Sequence, residues 1–188
     1  MKNNLFNKSL IGLLVAAPFF VSCDDDNDGP TPDESNEQIT TVRYVLTPTT
    51  GTGTPVTVEY RDPDGDGGTA PTIGNLTLAP NTTYTGRLTL LDETKNPAED
   101  ITAEIQDESD EHLFVFTPTG TNVTVTITDR DAKNLPIGLQ TQVVTGAANA
   151  TGTTGSLRVV LRHQPEGKDG TPTPGDTDVE VNFPTAVR

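Results

Sequence analysis

Apolar and polar residues alternate along many short stretches of this chain, and this pattern predicts β-strands. The clearest case is 122–128, where Val123, Val125 and Ile127 alternate with asparagine and threonine. About nine such stretches are bounded by turn residues, at 39–47, 56–60, 75–78, 83–91, 113–117, 122–128, 138–145, 156–163 and 179–183. Short connections favour antiparallel neighbours. The pattern therefore predicts an all-β fold, an antiparallel Ig-like β-sandwich of about eight or nine strands.

One segment, 97–111, has a helical pattern instead. Asn96 is suited to an N-cap and Pro97 to the first helical position. A narrow apolar stripe with helical spacing follows, formed by Ala98, Ile101 and Ile105. We predict one short acidic helix here, crossing between the two sheets. A hairpin is predicted next, with residues 118–120 as the turn between strands 113–117 and 122–128.

Composition agrees with a turn-rich β protein of one domain. The 188 residues include 33 threonines, 17 glycines and 15 prolines. Threonine suits a half-solvated strand, whereas glycine and proline mark turns.

Residues 1–22 have the features of a secretory signal peptide. Lys2 and Lys8 form a basic region, and residues 10–21 are apolar. The next residue, Cys23, is the single cysteine of the chain, so an internal disulfide is excluded. Its position resembles the lipobox of bacterial lipoproteins, with Phe20 where leucine is usual. The resemblance implies that Cys23 is acylated and that two acyl chains anchor the protein to a membrane.

Residues 23–37 are acidic and nearly free of apolar side chains, which predicts a disordered tether before a folded domain at 38–188. An acidic run directly after the lipidated cysteine resembles the export tag of surface lipoproteins in the Bacteroidota. This resemblance implies an outer-membrane location, with the cell surface favoured over the periplasmic face.

The net charge of −15 disfavours nucleic acid as a partner, because the protein would repel phosphates. Nine of the 27 acidic residues lie between Asp92 and Glu111. Such a surface suits cations or a basic protein face, and it also keeps a protein soluble.

Asp62, Asp64 and Asp66 begin a D-x-D-x-D-G motif typical of calcium loops. Position twelve, where an EF-hand requires glutamate, is Ile73, so an EF-hand is excluded. A looser Ca²⁺ loop and a plain polar β-turn both remain open.

The two histidines, His112 and His163, are the second candidate site. In a helical continuation, Glu108 and His112 would share one face, and Glu111 lies beside them. His163 ends a strand on its apolar face. Two imidazoles with carboxylates suit Zn²⁺ or Cu²⁺, provided that the fold brings the histidines together. The alternative is a histidine at the core rim that is hydrogen-bonded to a carbonyl.

Three groups of motifs resemble those of small Bacteroidota lipoproteins: Asp-Glu-His at 110–112 before an aromatic strand, Gly-Leu-Gln-Thr at 138–141, and Leu-Arg-His-Gln-Pro at 161–165. Members of this family often accompany TonB-dependent receptors. The resemblance implies an accessory role in uptake and assigns no chemistry to either histidine.

Enzyme functions are disfavoured, since the sequence contains neither a nucleophile elbow nor a Gly-rich phosphate loop. A glycosidase would usually carry aromatic platforms, and this chain has no tryptophan and three tyrosines. We therefore expect a non-catalytic binding or accessory lipoprotein. The alternative is a structural or adhesive Ig-like surface module without a small ligand.

Overall fold

Two β-sheets and one short helix make up the described part of the chain. The computed structural model describes residues 37–50, 53–65, 67–165 and 167–188. The strands are β1 (Thr41–Pro48), β2 (Val56–Arg61), β3 (Thr72–Ile73), β4 (Leu76–Leu78), β5 (Thr83–Asp92), β6 (Glu99–Asp100), β7 (His112–Thr119), β8 (Val123–Ile127), β9 (Gln140–Thr145), β10 (Gly155–His163) and β11 (Asp176–Val187), and the helix is α1 (Ile101–Asp107). The predicted all-β sandwich is confirmed.

The larger sheet has the order β3-β2-β1-β5-β9-β8, with β6 pairing to β5. The smaller sheet has the order β4-β11-β10-β7. Neighbours are antiparallel except β11 and β4, which are parallel. Both candidate histidines therefore lie in the smaller sheet.

The core consists of the alternate residues that the two sheets bury. In β1 these are Val42, Tyr44 and Leu46, and in β10 they are Leu157, Val159 and Leu161. The period of two read from the sequence places these side chains on one face of each strand. Burying this apolar face is the main favourable contribution to folding.

Helix α1 is shorter than predicted. Residues Glu99–Asp100 pair with β5, and Asp100 is the N-cap, accepting a hydrogen bond from the Thr102 backbone N–H. Because this pairing keeps the backbone extended, the helix begins after Pro97 rather than at it. Ile101 and Ile105 of the predicted stripe are buried, whereas Ala98 is exposed.

The predicted hairpin at 118–120 is wrong. Strand β7 pairs with β10 in the smaller sheet, and β8 pairs with β9 in the larger one. Gly120, which has a φ of 64°, lies where the chain passes from one sheet to the other. Alternation identified both strands but carries no information about their partners.

The predicted signal peptide (1–22), Cys23 and most of the predicted tether lie outside the described residues. Among the residues that the structure does describe, no helix is both long and apolar enough to cross a membrane.

Candidate metal centre

His112 and His163 occupy directly opposite positions on β7 and β10. Opposite residues in an antiparallel pair project from the same face of the sheet. The two imidazole rings stack with centroids 4.7 Å apart and an interplanar angle of 9°. His112 is fully buried, and His163 is 8% exposed.

Asp178 joins the histidines through a β-bulge. The pairing of β10 with β11 shifts after Leu161–Val179, because Arg162 pairs with Thr177 and Asp178 has no partner residue. The side chain of Asp178 is fully buried, next to the buried Val179. The bulge allows Asp178 and the adjacent core residue Val179 both to be buried at this point of the strand.

Glu37 supplies the fourth side chain, from the segment that precedes β1. Its Oε1 atom lies 2.9 Å from Nε2 of His112, and its side chain is 8% exposed. Asp178 Oδ2 lies 3.9 Å from the same nitrogen. Glu37 is the last residue of the predicted tether, yet it is part of the folded domain.

We call Glu37, His112, His163 and Asp178 the four-residue centre. One donor atom from each lies within 4.8 Å of every other. Ligands about 2.1 Å from a tetrahedral Zn²⁺ lie roughly 3.4 Å apart, so a modest contraction would bring all four onto one ion.

Three buried carboxylate oxygens of this centre have no hydrogen-bond partner, namely Glu37 Oε2, Asp178 Oδ1 and Asp178 Oδ2. Buried polar atoms without partners are rare in folded proteins and require an explanation. Asp178 Oδ2 lies 3.9 Å from Nε2 of His112, the same nitrogen that Glu37 Oε1 approaches at 2.9 Å. A bound cation would supply a partner for these carboxylates.

The tautomer of His112 fits metal binding. Its Nδ1 lies 3.1 Å from the backbone carbonyl oxygen of Glu108. A carbonyl can only accept, so Nδ1 carries the hydrogen and the Nε2 of neutral His112 presents its lone pair to the centre. Hydrogen bonds of this kind typically orient histidine ligands.

Burial and mutual charge shift the pKa values at the centre. Burial, together with the Glu37 carboxylate, raises the pKa of Asp178 to about 7. Burial also opposes ionisation of Glu37 and His112, but their contact outweighs it, so the pKa of Glu37 is lowered and that of His112 is raised. The metal-free centre therefore combines an imidazolium–carboxylate pair with an acid that ionises near neutral pH.

A buried ion pair fixes the chain just before His112. Lys168 Nζ donates to Asp131 Oδ2 at 2.9 Å and to the Ser109 carbonyl at 2.7 Å. The side chains of Lys168 and Asp131 are both fully buried. Three separate segments thereby meet at one ammonium group, beside the start of β7.

The ligand set differs from the predicted one at two positions. Glu108 caps the end of α1, its side chain is exposed, and its contact with the centre is the carbonyl that accepts from His112. The helix ends before His112, which is a strand residue, so the predicted shared helical face does not form. Glu111 lies outside the centre, with its Oε2 atom 3.5 Å from Nε2 of His163 and its side chain 38% exposed.

Asp62 and Asp64 of the predicted calcium loop differ in their exposure to solvent. Asp62 is buried, at 6% exposure, whereas the exposed Asp64 accepts a hydrogen bond from the Thr69 backbone N–H. That hydrogen bond lowers the pKa of Asp64. Asp66 lies outside the described residues. The described part of this loop is a turn with Gly65 at a φ of 71°.

Sequence reasoning missed Glu37 and Asp178. Glu37 ends an acidic stretch whose composition resembles a linker, and nothing local distinguishes it. Asp178 belongs to the polar run Asp176–Asp178 just before the predicted strand 179–183. The bulge that selects it depends on pairing with β10, which leaves no local signal.

Comparison of the chain with family models, with curated proteins and with solved structures finds no match.

Proposed function

We propose that this protein is a non-catalytic lipoprotein that binds one divalent transition-metal ion at the four-residue centre. The supporting observation is the convergence of two imidazoles with two carboxylates, three of whose buried oxygens lack hydrogen-bond partners. Two carboxylates would neutralise a divalent cation, so the loaded centre would bury no net charge.

The donor set favours Zn²⁺. Imidazole nitrogen is a good ligand for Zn²⁺ and Cu²⁺, whereas Ca²⁺ and Mg²⁺ prefer oxygen donors alone. Two nitrogens and two oxygens suit a four-coordinate Zn²⁺ site. Cu²⁺ is the second ion to test.

The rest of the proposal concerns location and partners. Acylation at Cys23 would anchor the domain to the outer membrane, with the surface-exposed leaflet favoured. The motif resemblance supports an accessory role beside a TonB-dependent receptor, and a metal-binding module would fit such a role in metal uptake.

A thermal melt of the metal-free protein with added Zn²⁺, Cu²⁺ or Ca²⁺ tests metal binding. An ion that binds only the folded state stabilises it by about 2.7 kcal/mol at one hundred times its Kd. We expect Tm to rise with Zn²⁺ or Cu²⁺ and the rise to disappear in the double variant His112→Ala/His163→Ala.

Glu108→Gln is the matched control, because it removes an exposed carboxylate and leaves the carbonyl that orients His112. It should bind metal as the unmodified protein does. Absence of any Tm shift would refute the metal proposal and favour the structural or adhesive module. A rise in Tm with Ca²⁺ alone would indicate binding at Asp62 and Asp64 instead.

A further inference from the structure

The four ligands do not come from equally constrained parts of the fold. His112, His163 and Asp178 lie on β7, β10 and β11, which are adjacent strands of the smaller sheet. His112 and His163 pair with each other in the ladder, and Asp178 lies in the bulge between the paired residues Thr177 and Val179. Glu37 comes from the other side of the sandwich, before the first strand of the larger sheet.

The segment of Glu37 lies outside the hydrogen-bonded ladder of that sheet. Pairing of β1 with β2 and β5 begins at Thr41. Thr40 donates its backbone N–H to Leu91 and accepts from Asp62, and Ile39 is buried in the core. Glu37 lies beyond these anchors, with Oε1 against His112 and Oε2 without a partner.

The three sheet residues alone would form an open site. Two histidines and one carboxylate leave the fourth position of a tetrahedral ion to water, and they neutralise only half of its charge. Adding Glu37 completes both the coordination number and the charge balance. It also replaces an exchangeable water with a protein ligand.

We propose that Glu37 is the closing ligand of this centre: an ion binds first to His112, His163 and Asp178, and Glu37 then closes over it. This inference rests on the proposed metal-binding function and adds how the ion is retained and released. The bound ion links the beginning of the domain to the smaller sheet. A partner that draws the segment before β1 away would open the site and free the ion, which suits a protein that transfers its metal.

Two measurements on the full chain test this order. Hydrogen exchange of the Gln38 and Ile39 amides, with and without Zn²⁺, reports whether the ion immobilises the segment. Transfer of Zn²⁺ to a chromophoric chelator reports the dissociation rate. We expect Zn²⁺ to slow exchange at both amides.

In Glu37→Gln we expect one Zn²⁺ still to bind at saturation, no protection of Gln38 and Ile39, and dissociation at least about 10-fold faster. Glu108→Gln is the matched control, because it removes an exposed carboxylate outside the centre and leaves the carbonyl that orients His112. It should retain both the protection and the slow release.

The outcomes separate the two proposals. If the unmodified protein binds Zn²⁺ but exchange at Gln38 and Ile39 is unchanged, or Glu37→Gln releases Zn²⁺ at the unmodified rate, the closing role is refuted and metal binding stands. If the unmodified protein binds no Zn²⁺, metal binding is refuted and the closing role is refuted with it.

Discussion

The side chain of Asp178 is fully buried, and neither of its oxygen atoms has a hydrogen-bond partner. A carboxylate in that position is costly to ionise unless a cation is bound. Replacing it with asparagine removes the charge and keeps nearly the same shape. We therefore expect this substitution to raise the free energy of unfolding of the metal-free protein and to lower that of the metal-bound protein.

We expect Asp178→Asn to stabilise the metal-free protein at pH 8 by about 1–3 kcal/mol and to abolish most of the Zn²⁺-induced stabilisation. Urea unfolding at pH 8, with chelator and with Zn²⁺, measures both effects. Glu108→Gln, which removes an exposed carboxylate, should leave both nearly unchanged. A destabilised metal-free Asp178→Asn would show that the carboxylate has a stabilising partner without metal.

The raised pKa of Asp178 also gives the metal-free protein a specific pH dependence. Since its folded pKa, about 7, exceeds the ordinary carboxyl value, its favourable contribution is complete below about pH 4 and is lost as pH rises through 7. The raised pKa of His112 likewise makes the unfolding free energy fall as pH rises. The lowered pKa of Glu37 affects the unfolding free energy only at acid pH. Unfolding free energy should fall between about pH 5 and 8, and less steeply in Asp178→Asn.

At the scale of elements, the β10–β11 hairpin determines the position of both His163 and Asp178. Gly175 has a φ of 71°, and a Cβ there would lie 1.8 Å from the His163 carbonyl oxygen. Arg162 Nη2 donates to the Gly175 carbonyl and to that of Pro174. This turn therefore needs glycine both for its backbone conformation and for close packing.

We expect Gly175→Ala to cost about 3 kcal/mol or more, because it adds a steric clash to an unfavourable φ. Gly152 is a matched control: its φ is 82°, but nothing lies within 4 Å of a Cβ there. Gly152→Ala should cost only about 1–2 kcal/mol. Chemical denaturation of both variants measures the difference, and equal losses would contradict the clash.

In the same hairpin, the sequence predicted one strand well and the other incompletely. Strand 156–163 was predicted almost at its observed bounds, with Leu157, Val159 and Leu161 facing the core. The predicted strand 179–183 is shorter than β11 at both ends, because residues 176–178 are polar and Pro184 follows Phe183. Alternation cannot reveal a bulge, which exists only relative to a partner strand.

At the scale of the whole molecule, loops from distant parts of the chain meet at the buried Lys168–Asp131 pair. The ammonium group of Lys168 lowers the pKa of Asp131 against the opposing effect of burial. Asp131 also accepts from the backbone N–H groups of Lys133 and Leu135 through Oδ1. Removing Lys168 would leave a buried carboxylate without its counter-ion.

We expect Lys168→Met to destabilise the protein by about 3–5 kcal/mol. Lys168→Met/Asp131→Asn should be less destabilised than the sum of the single variants, because asparagine leaves no unpaired charge and retains an acceptor for the backbone. A double-mutant cycle by urea unfolding measures this coupling. Strict additivity would show that the pair is not coupled.

Local pattern by itself identified nine of the eleven strands, the presence of a short acidic helix and the two histidines as candidates, because alternation and residue type are properties of neighbouring positions. It missed the two-residue strands β3 and β6, which are defined by pairing. The tertiary structure alone decided that His112 and His163 stack, that a bulge buries Asp178 beside them, and that Glu37, from the segment before β1, joins the group. Those contacts join residues far apart in the chain, and strand register, which no local pattern encodes, brings them together.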